Sequence, residues 1–289
     1  MERHIFKFGN SSYAVVLPKK WVEKMDLKSS NSVQLREVHK GDILISTQAQ
    51  RGREVGITVR ASMPPKLVGR WVWLYYIYGA SKLKLRSPDG IRKEQLDAIE
   101  QEMKVEAPGF EIVSQSEKEI VIEDLTNMRE VSLEKIMSRM RSLINEEFRI
   151  VQRGEYESMQ RSEELVNRFY ALGIRYINTS QDEDAVKSFR LLQLLESIAD
   201  GLYRMASFKR QAKILGKLQA SFELAFSALG GDMKAIEGVF VARQEAYAEM
   251  NRGRVERLQA RTIKDLATYI AQISELGLKI EESEAFLGI

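Results

Sequence analysis

All five prolines of this 289-residue chain lie at or before Pro108. A proline inside a helix removes one backbone hydrogen bond and clashes with the preceding turn. The long proline-free remainder is therefore where uninterrupted helices can run. From about residue 128 apolar residues recur at helical spacing. Leu133, Ile136, Met140, Leu143 and Val151 fall on one stripe; Val186, Phe189, Leu192, Leu195, Ala199 and Leu202 on a second; Val255, Leu258, Ile263, Leu266, Ile270, Ile273 and Ile280 on a third. Gly154, Gly230-Gly231, Gly253 and the polar stretch Asn178–Asp184 punctuate the run. The pattern predicts six helices of roughly 20–28 residues in two successive groups of three. Long amphipathic helices with short connections pack as antiparallel bundles. Equal groups suggest a tandem repeat, although residue-level self-similarity is weak.

The other end of the chain reads differently. His4–Phe8 alternates and stops at the turn pair Gly9-Asn10; Tyr13–Leu17 is a β-branched, apolar run. Pro18 then opens a short helix carrying Trp21, Val22 and Met25, as proline does in a first turn. Val33–Val38 alternates again, Lys40-Gly41-Asp42 is a turn, and Ile43–Ile45 is a last strand. Between these ends, residues 48–126 predict strands at 55–59, 82–86, 110–113 and 119–122, with helices at 64–78 and 92–104. That order suits a small α+β unit. The expected fold is thus multi-domain α+β, divided as 1–47, 48–126 and 127–289.

Charge separates the same regions. Residues 1–50 hold eight Lys/Arg against five Asp/Glu, residues 51–127 twelve of each, and residues 128–289 twenty-four of each. The whole net charge of +3 thus sits in the first fifty residues, where a polyanion-binding module would need it. On the 82–86 strand, Lys82, Lys84 and Arg86 alternate onto one face, which is either an anion-binding surface or a solvated one. The chain has no cysteine and two histidines, His4 and His39, which excludes thiolate and disulfide chemistry and leaves little for histidine-based catalysis. No Walker A loop, dinucleotide-binding glycine fingerprint, Gly-x-Ser-x-Gly or His-Glu-x-x-His occurs. The N-terminus lacks an apolar leader, and the most apolar window, 71–80, is too short to cross a bilayer. These features predict a soluble cytoplasmic protein that is not an enzyme and does not insert into membranes.

Two stretches carry family resemblances. The run from Arg3 to Val22, with its Gly9-Asn10-Ser11 turn, apolar strand, Leu17-Pro18-Lys19 and short helix, continues to Lys40-Gly41-Asp42 and resembles the AbrB/MazE/SpoVT family. The resemblance implies a barrel of swapped hairpins formed by two chains. About forty-five residues bury too little core alone, and interleaving two copies also closes the open strand edges. It implies double-stranded DNA as a partner, with phosphate contacts from Arg3, Lys7, Lys19, Lys20 and Lys24 and contacts from Asn10 and Ser11. Asn10 is equally readable as a left-handed turn former. Trp21 reads as core beside Met25.

Residues 128–285 resemble the PhoU family. The carriers are Leu194–Leu202, with Glu196 and Asp200 spaced as Glu-x-x-x-Asp, and Glu163–Tyr170 on the preceding helix. The resemblance implies two three-helix repeats and a divalent metal held by Glu196, Asp200 and Glu163, the one cofactor in view. Oxygen ligands suit hard ions. Asn167 stands where the family usually has Asp, and 273–280 keeps Glu275 without a paired acid. The stretch Leu74–Gly79 with its following strand resembles the spacer of archaeal fusions of these two families. The combined expectation is a homodimeric transcriptional regulator of phosphate uptake. The alternative is an adaptor for phosphate-transport or signalling proteins, its barrel serving only to dimerise or to bind a partner.

Overall fold

The computed structural model describes residues 3–10, 12–28, 32–39, 42–46, 53–125, 131–180, 184–208, 211–253 and 255–278. The expectations for Ser11, Lys40-Gly41 and Ile280 fall outside them. The chain divides into two compact units, Met1–Arg51 and Gly52–Ile289.

The first unit holds two separate antiparallel hairpins. Strands β1 (Ile5–Phe8) and β2 (Ser12–Val15) pair with Lys7 opposite Tyr13, and helix α1 (Lys19–Lys24) follows Pro18. Strands β3 (Gln34–His39) and β4 (Asp42–Ser46) form the second hairpin. Gly9 makes the first turn at a φ of +69°, a left-handed value that suits glycine.

The second unit begins with a four-stranded sheet. Its elements are β5 (Arg53–Thr58), α2 (Pro65–Ile77), β6 (Ala80–Arg86), α3 (Lys93–Glu106), β7 (Phe110–Gln115) and β8 (Glu119–Asp124). The sheet order is β5-β6-β8-β7, with β5 and β6 parallel across α2 and the other pairs antiparallel. Ile57, Leu83, Leu85, Ile120 and Ile122 bury one face, in one core with Val68, Val72 and Tyr76 of α2 and Ile99 of α3. The two helices approach so closely that a Cβ on Gly69 would lie 2.8 Å from the Ala98 carbonyl oxygen. The opposite face carries Lys82, Lys84 and Arg86. Each has an acidic cross-strand partner: Glu123 at 2.6 Å, Glu54 at 3.6 Å and Glu119 at 2.5 Å. This face is thus an ion-paired, partly exposed surface.

Six helices complete the unit: α4 (Leu133–Arg153), α5 (Met159–Thr179), α6 (Ala185–Met205), α7 (Ala212–Ala228), α8 (Met233–Arg252) and α9 (Arg257–Glu275). Among the described residues they number six, as the pattern predicts; α4, α5, α6 and α8 run to 20–21 residues, within the expected range, while α7 and α9 stop at 17 and 19. The Ser132 hydroxyl accepts from the Lys135 N–H at the start of α4, and Gly154 ends it in the left-handed region. Two of the predicted stripes need correction. Val186 and Phe189, in the first turns of α6, are exposed, as is Leu258 at the start of α9. Helix termini overhang the bundle, so periodicity continues past the point where packing stops.

The sheet unit and the helices share one buried core. Arg175 of α5 fastens them together. Its guanidinium donates to the carbonyls of Tyr76 and Ala80 and to the Asp124 carboxylate, the last at 2.5 Å, and lies over the Tyr76 ring. Both members of the ion pair are almost fully buried. One turn along, the Asn178 amide donates to the Ile77 carbonyl at 2.8 Å. Removing one partner of a buried pair strands the other charge. Arg175→Met is therefore expected to lower the unfolding free energy by about 3–5 kcal/mol, measured by urea titration, and an unchanged midpoint would show that the pair is dispensable.

Candidate nucleic-acid interface

The cations predicted to face phosphate lie on the first unit. Arg3 and Lys7 are exposed on and before β1, and Asn10 is exposed in the turn. Lys19 and Lys20 open α1; Lys24 follows Lys20 by four residues, hence on the same helix face, and all three are exposed. Lys19 forms a 3.7 Å pair with Glu23, both side chains mostly in solvent. Such a pair is worth little in water and leaves the ammonium available to a polyanion. Trp21 is half-buried in a cleft with Leu17, Pro18 and Ile45. The expected Trp21–Met25 core is only partial, since Met25 is 41% exposed.

The apolar side chains of this unit are displaced toward solvent. Ile5, Phe8, Tyr13, Leu35 and Ile43 are each 65–72% exposed. An isolated two-stranded hairpin is marginal in water, and hairpins that also expose large apolar groups need another surface to cover them.

A second cluster lies among the helices. Glu147 of α4 is fully buried, and neither carboxylate oxygen has a hydrogen-bond partner of good geometry. Burial pushes its pKa up to about 8; Glu163 and Asp200 add to the rise, and the neighbouring Ser162 hydroxyl opposes it. Burial is also the largest cause for Glu196, which is pushed up to about 7 with help from Asp200, Glu106 and Glu163, while Arg204 works against it. Glu163 and Asp200 are raised by burial too, Glu163 against a hydrogen bond from Asn167 and Asp200 against Arg204. Glu163, Glu196 and Asp200 are thus near enough to influence one another, together with Glu147 and Glu106. Among the described residues, however, no three carboxylate, histidine or cysteine groups gather closely enough to hold a metal ion. The metal expectation finds no support there. Glu147 was findable in the sequence, because it lies on the α4 apolar stripe, one turn from Leu143, Ile144 and Val151.

Comparison with known proteins addresses the first unit only. Residues 7–53 match the family described as Antidote-toxin recognition MazE, bacterial antitoxin. No curated protein matches the chain, and no solved structure does. The MazE-like segment covers α1, the second hairpin and the first hairpin apart from Ile5 and Phe6, and with them Lys7, Asn10, Lys19, Lys20 and Lys24; Arg3 precedes it. Among the described residues no helix is long and apolar enough to cross a membrane.

The acidic cluster makes the larger unit sensitive to pH. Glu147 and Glu196 hold their protons in the fold up to about 8 and about 7, whereas an exposed glutamate loses its own near 4.5. The folded state therefore binds more protons than the unfolded one between these values, and stability falls as pH rises through that window. Glu147→Gln keeps the neutral shape. It is expected to match the parent near pH 4 and to exceed it by about 2–5 kcal/mol above pH 8. Urea titrations at pH 4, 6 and 9 measure this; parallel curves for both proteins would refute it.

Proposed function

We propose that this chain is a DNA-binding transcriptional regulator that acts as a homodimer through residues 1–51, with the larger unit as its sensing or interaction part. The supporting observation is the MazE-family match over 7–53, on the segment that carries the net positive charge and displays Lys7, Lys19, Lys20 and Lys24 in solvent. Two copies interleaving their hairpins into a barrel would cover Ile5, Phe8, Tyr13, Leu35 and Ile43, double the cationic contacts and match a two-fold DNA site. Each ammonium that neutralises a phosphate releases counterions, so affinity is electrostatic in large part. The link to phosphate homeostasis, and the reading of the six helices as PhoU-like repeats, rest on sequence resemblance alone. The proposal assigns no catalytic activity.

A second reading is favoured by the same exposed apolar side chains and by the antitoxin character of the matched family: an antitoxin-type module or adaptor that binds a protein instead of DNA. Anisotropy titrations of genomic duplex fragments at several salt concentrations separate the two. DNA binding predicts steep salt dependence. Lys19→Ala with Lys20→Ala is expected to weaken binding to every duplex and to lower the salt slope by roughly one per phosphate contact removed. Absence of binding by the intact chain at low salt would leave the protein-binding reading. The dimer has its own test. Phe8→Asp places a charge on a surface that must be desolvated, so sedimentation is expected to show monomer where the parent is dimeric; a monomeric parent would overturn the homodimer.

A further inference from the structure

The two edges of the four-stranded sheet differ. Strand β7 carries a bulge between Ile112 and Ser114, a common device for making an edge unfit for further pairing. Strand β5 is unbulged from Glu54 to Thr58 and contains no proline. The Val59 N–H donates to the Arg86 carbonyl of β6 at 2.8 Å. Successive N–H groups of a strand point to opposite sides, so those of Val55 and Ile57 also turn toward β6, and those of Glu54, Gly56 and Thr58 turn toward the outer edge, which pairs with no other strand among the described residues.

The chain itself supplies a reason for an occupant. Six residues, 47–52, join the end of β4 to the start of β5. Such a link reaches roughly 20–25 Å even when extended. If two first units interleave, as proposed above, two β5 edges are held within a few tens of ångströms of one axis. Tethering of that kind makes their meeting effectively intramolecular.

We propose that β5 pairs antiparallel with β5 of a second copy about a two-fold axis at Gly56, joining the two sheets into one of eight strands. This rests on the homodimer reading of residues 1–51. The register centred on Gly56 overlaps the whole strand. It sets Val55 against the second copy's Ile57, an apolar cross-strand pair on the helix-covered side. It sets Glu54 against the second copy's Thr58, so no like charges oppose each other. Three outward-facing residues from each copy exchange about six backbone hydrogen bonds in this arrangement. Gly56 suits the axis because a Cβ there would meet nothing within 4 Å of its own chain.

The same open space allows a direct test. The chain has no cysteine, so a single Gly56→Cys can form a disulfide only with its copy, and Cα atoms of a hydrogen-bonded antiparallel pair are close enough for one. In full-length protein under mild oxidation, Gly56→Cys is expected to convert the dimer to a reducible covalent dimer at least tenfold faster than Ser114→Cys on β7. In the unmodified chain, hydrogen exchange is expected to be as slow at Glu54, Gly56 and Thr58 as at Val55 and Ile57. A sedimenting dimer in which Gly56→Cys links no faster than Ser114→Cys, or in which the three outward amides exchange at free-chain rates, overturns the strand pairing and leaves the homodimer intact. A monomer on sedimentation overturns both.

Discussion

The larger unit depends on a cation that it buries. Arg175 reaches from α5 to the end of α2 and donates to the Tyr76 carbonyl, which also accepts from the Gly79 N–H at 3.0 Å, while Asn178 donates to the Ile77 carbonyl, one of the last that a helix leaves without an intrahelical donor. The C-terminal ends of helices favour positive charge, and Asp124 on β8 balances the guanidinium. One side chain thus ties together a helix terminus, the start of β6 at Ala80, and the end of the last strand. A buried pair of this kind contributes little net stability compared with a well-packed apolar substitute. Its effect is geometric. An apolar contact would tolerate α5 sliding by a fraction of a turn, whereas three directed hydrogen bonds and an ion pair do not. The bundle and the sheet are therefore fixed in register by directed bonds as well as by the single core that runs through both.

The sequence was most informative where burial has a period. Strands at 55–59, 82–86, 110–113 and 119–122 and helices at 64–78 and 92–104 each overlap an observed element, with ends shifted by a residue or two. Alternation also placed Lys82, Lys84 and Arg86 on one face. It could not say what they meet, because Glu54, Glu119 and Glu123 come from strands whose neighbours are set by topology and not by local pattern. Arg175 was invisible for the same reason. Nothing near it in the chain distinguishes it from a surface arginine, and its partners lie 51–99 residues away. Glu147 is a different case: its place on an apolar stripe was available, and a carboxylate there is either paired or protonated.

The first unit shows the limit of a single chain as the unit of folding. Its strands and short helix were readable, and they form as local hairpins. What they do not form alone is a core, because large apolar groups on both hairpins remain in solvent. The family match speaks to these forty-odd residues and to nothing beyond them. The chemistry of the candidate interface therefore sits on the part of the molecule least complete without a partner. The part with the better core carries no net charge: residues 51–289 hold thirty-six basic and thirty-six acidic side chains.

That division constrains how the larger unit could influence DNA. A neutral surface bearing a buried acidic cluster adds little long-range attraction to a polyanion, so direct charge contribution is a poor route. Geometry is the stronger one. A dimeric reader needs its two half-site surfaces at a fixed spacing, and only six residues separate each MazE-like segment's second hairpin from β5. Glu147 and Glu196 lie on α4 and α6, and Arg175 links the neighbouring α5 to the sheet, so the protonation-sensitive groups sit in the helices that share a core with it.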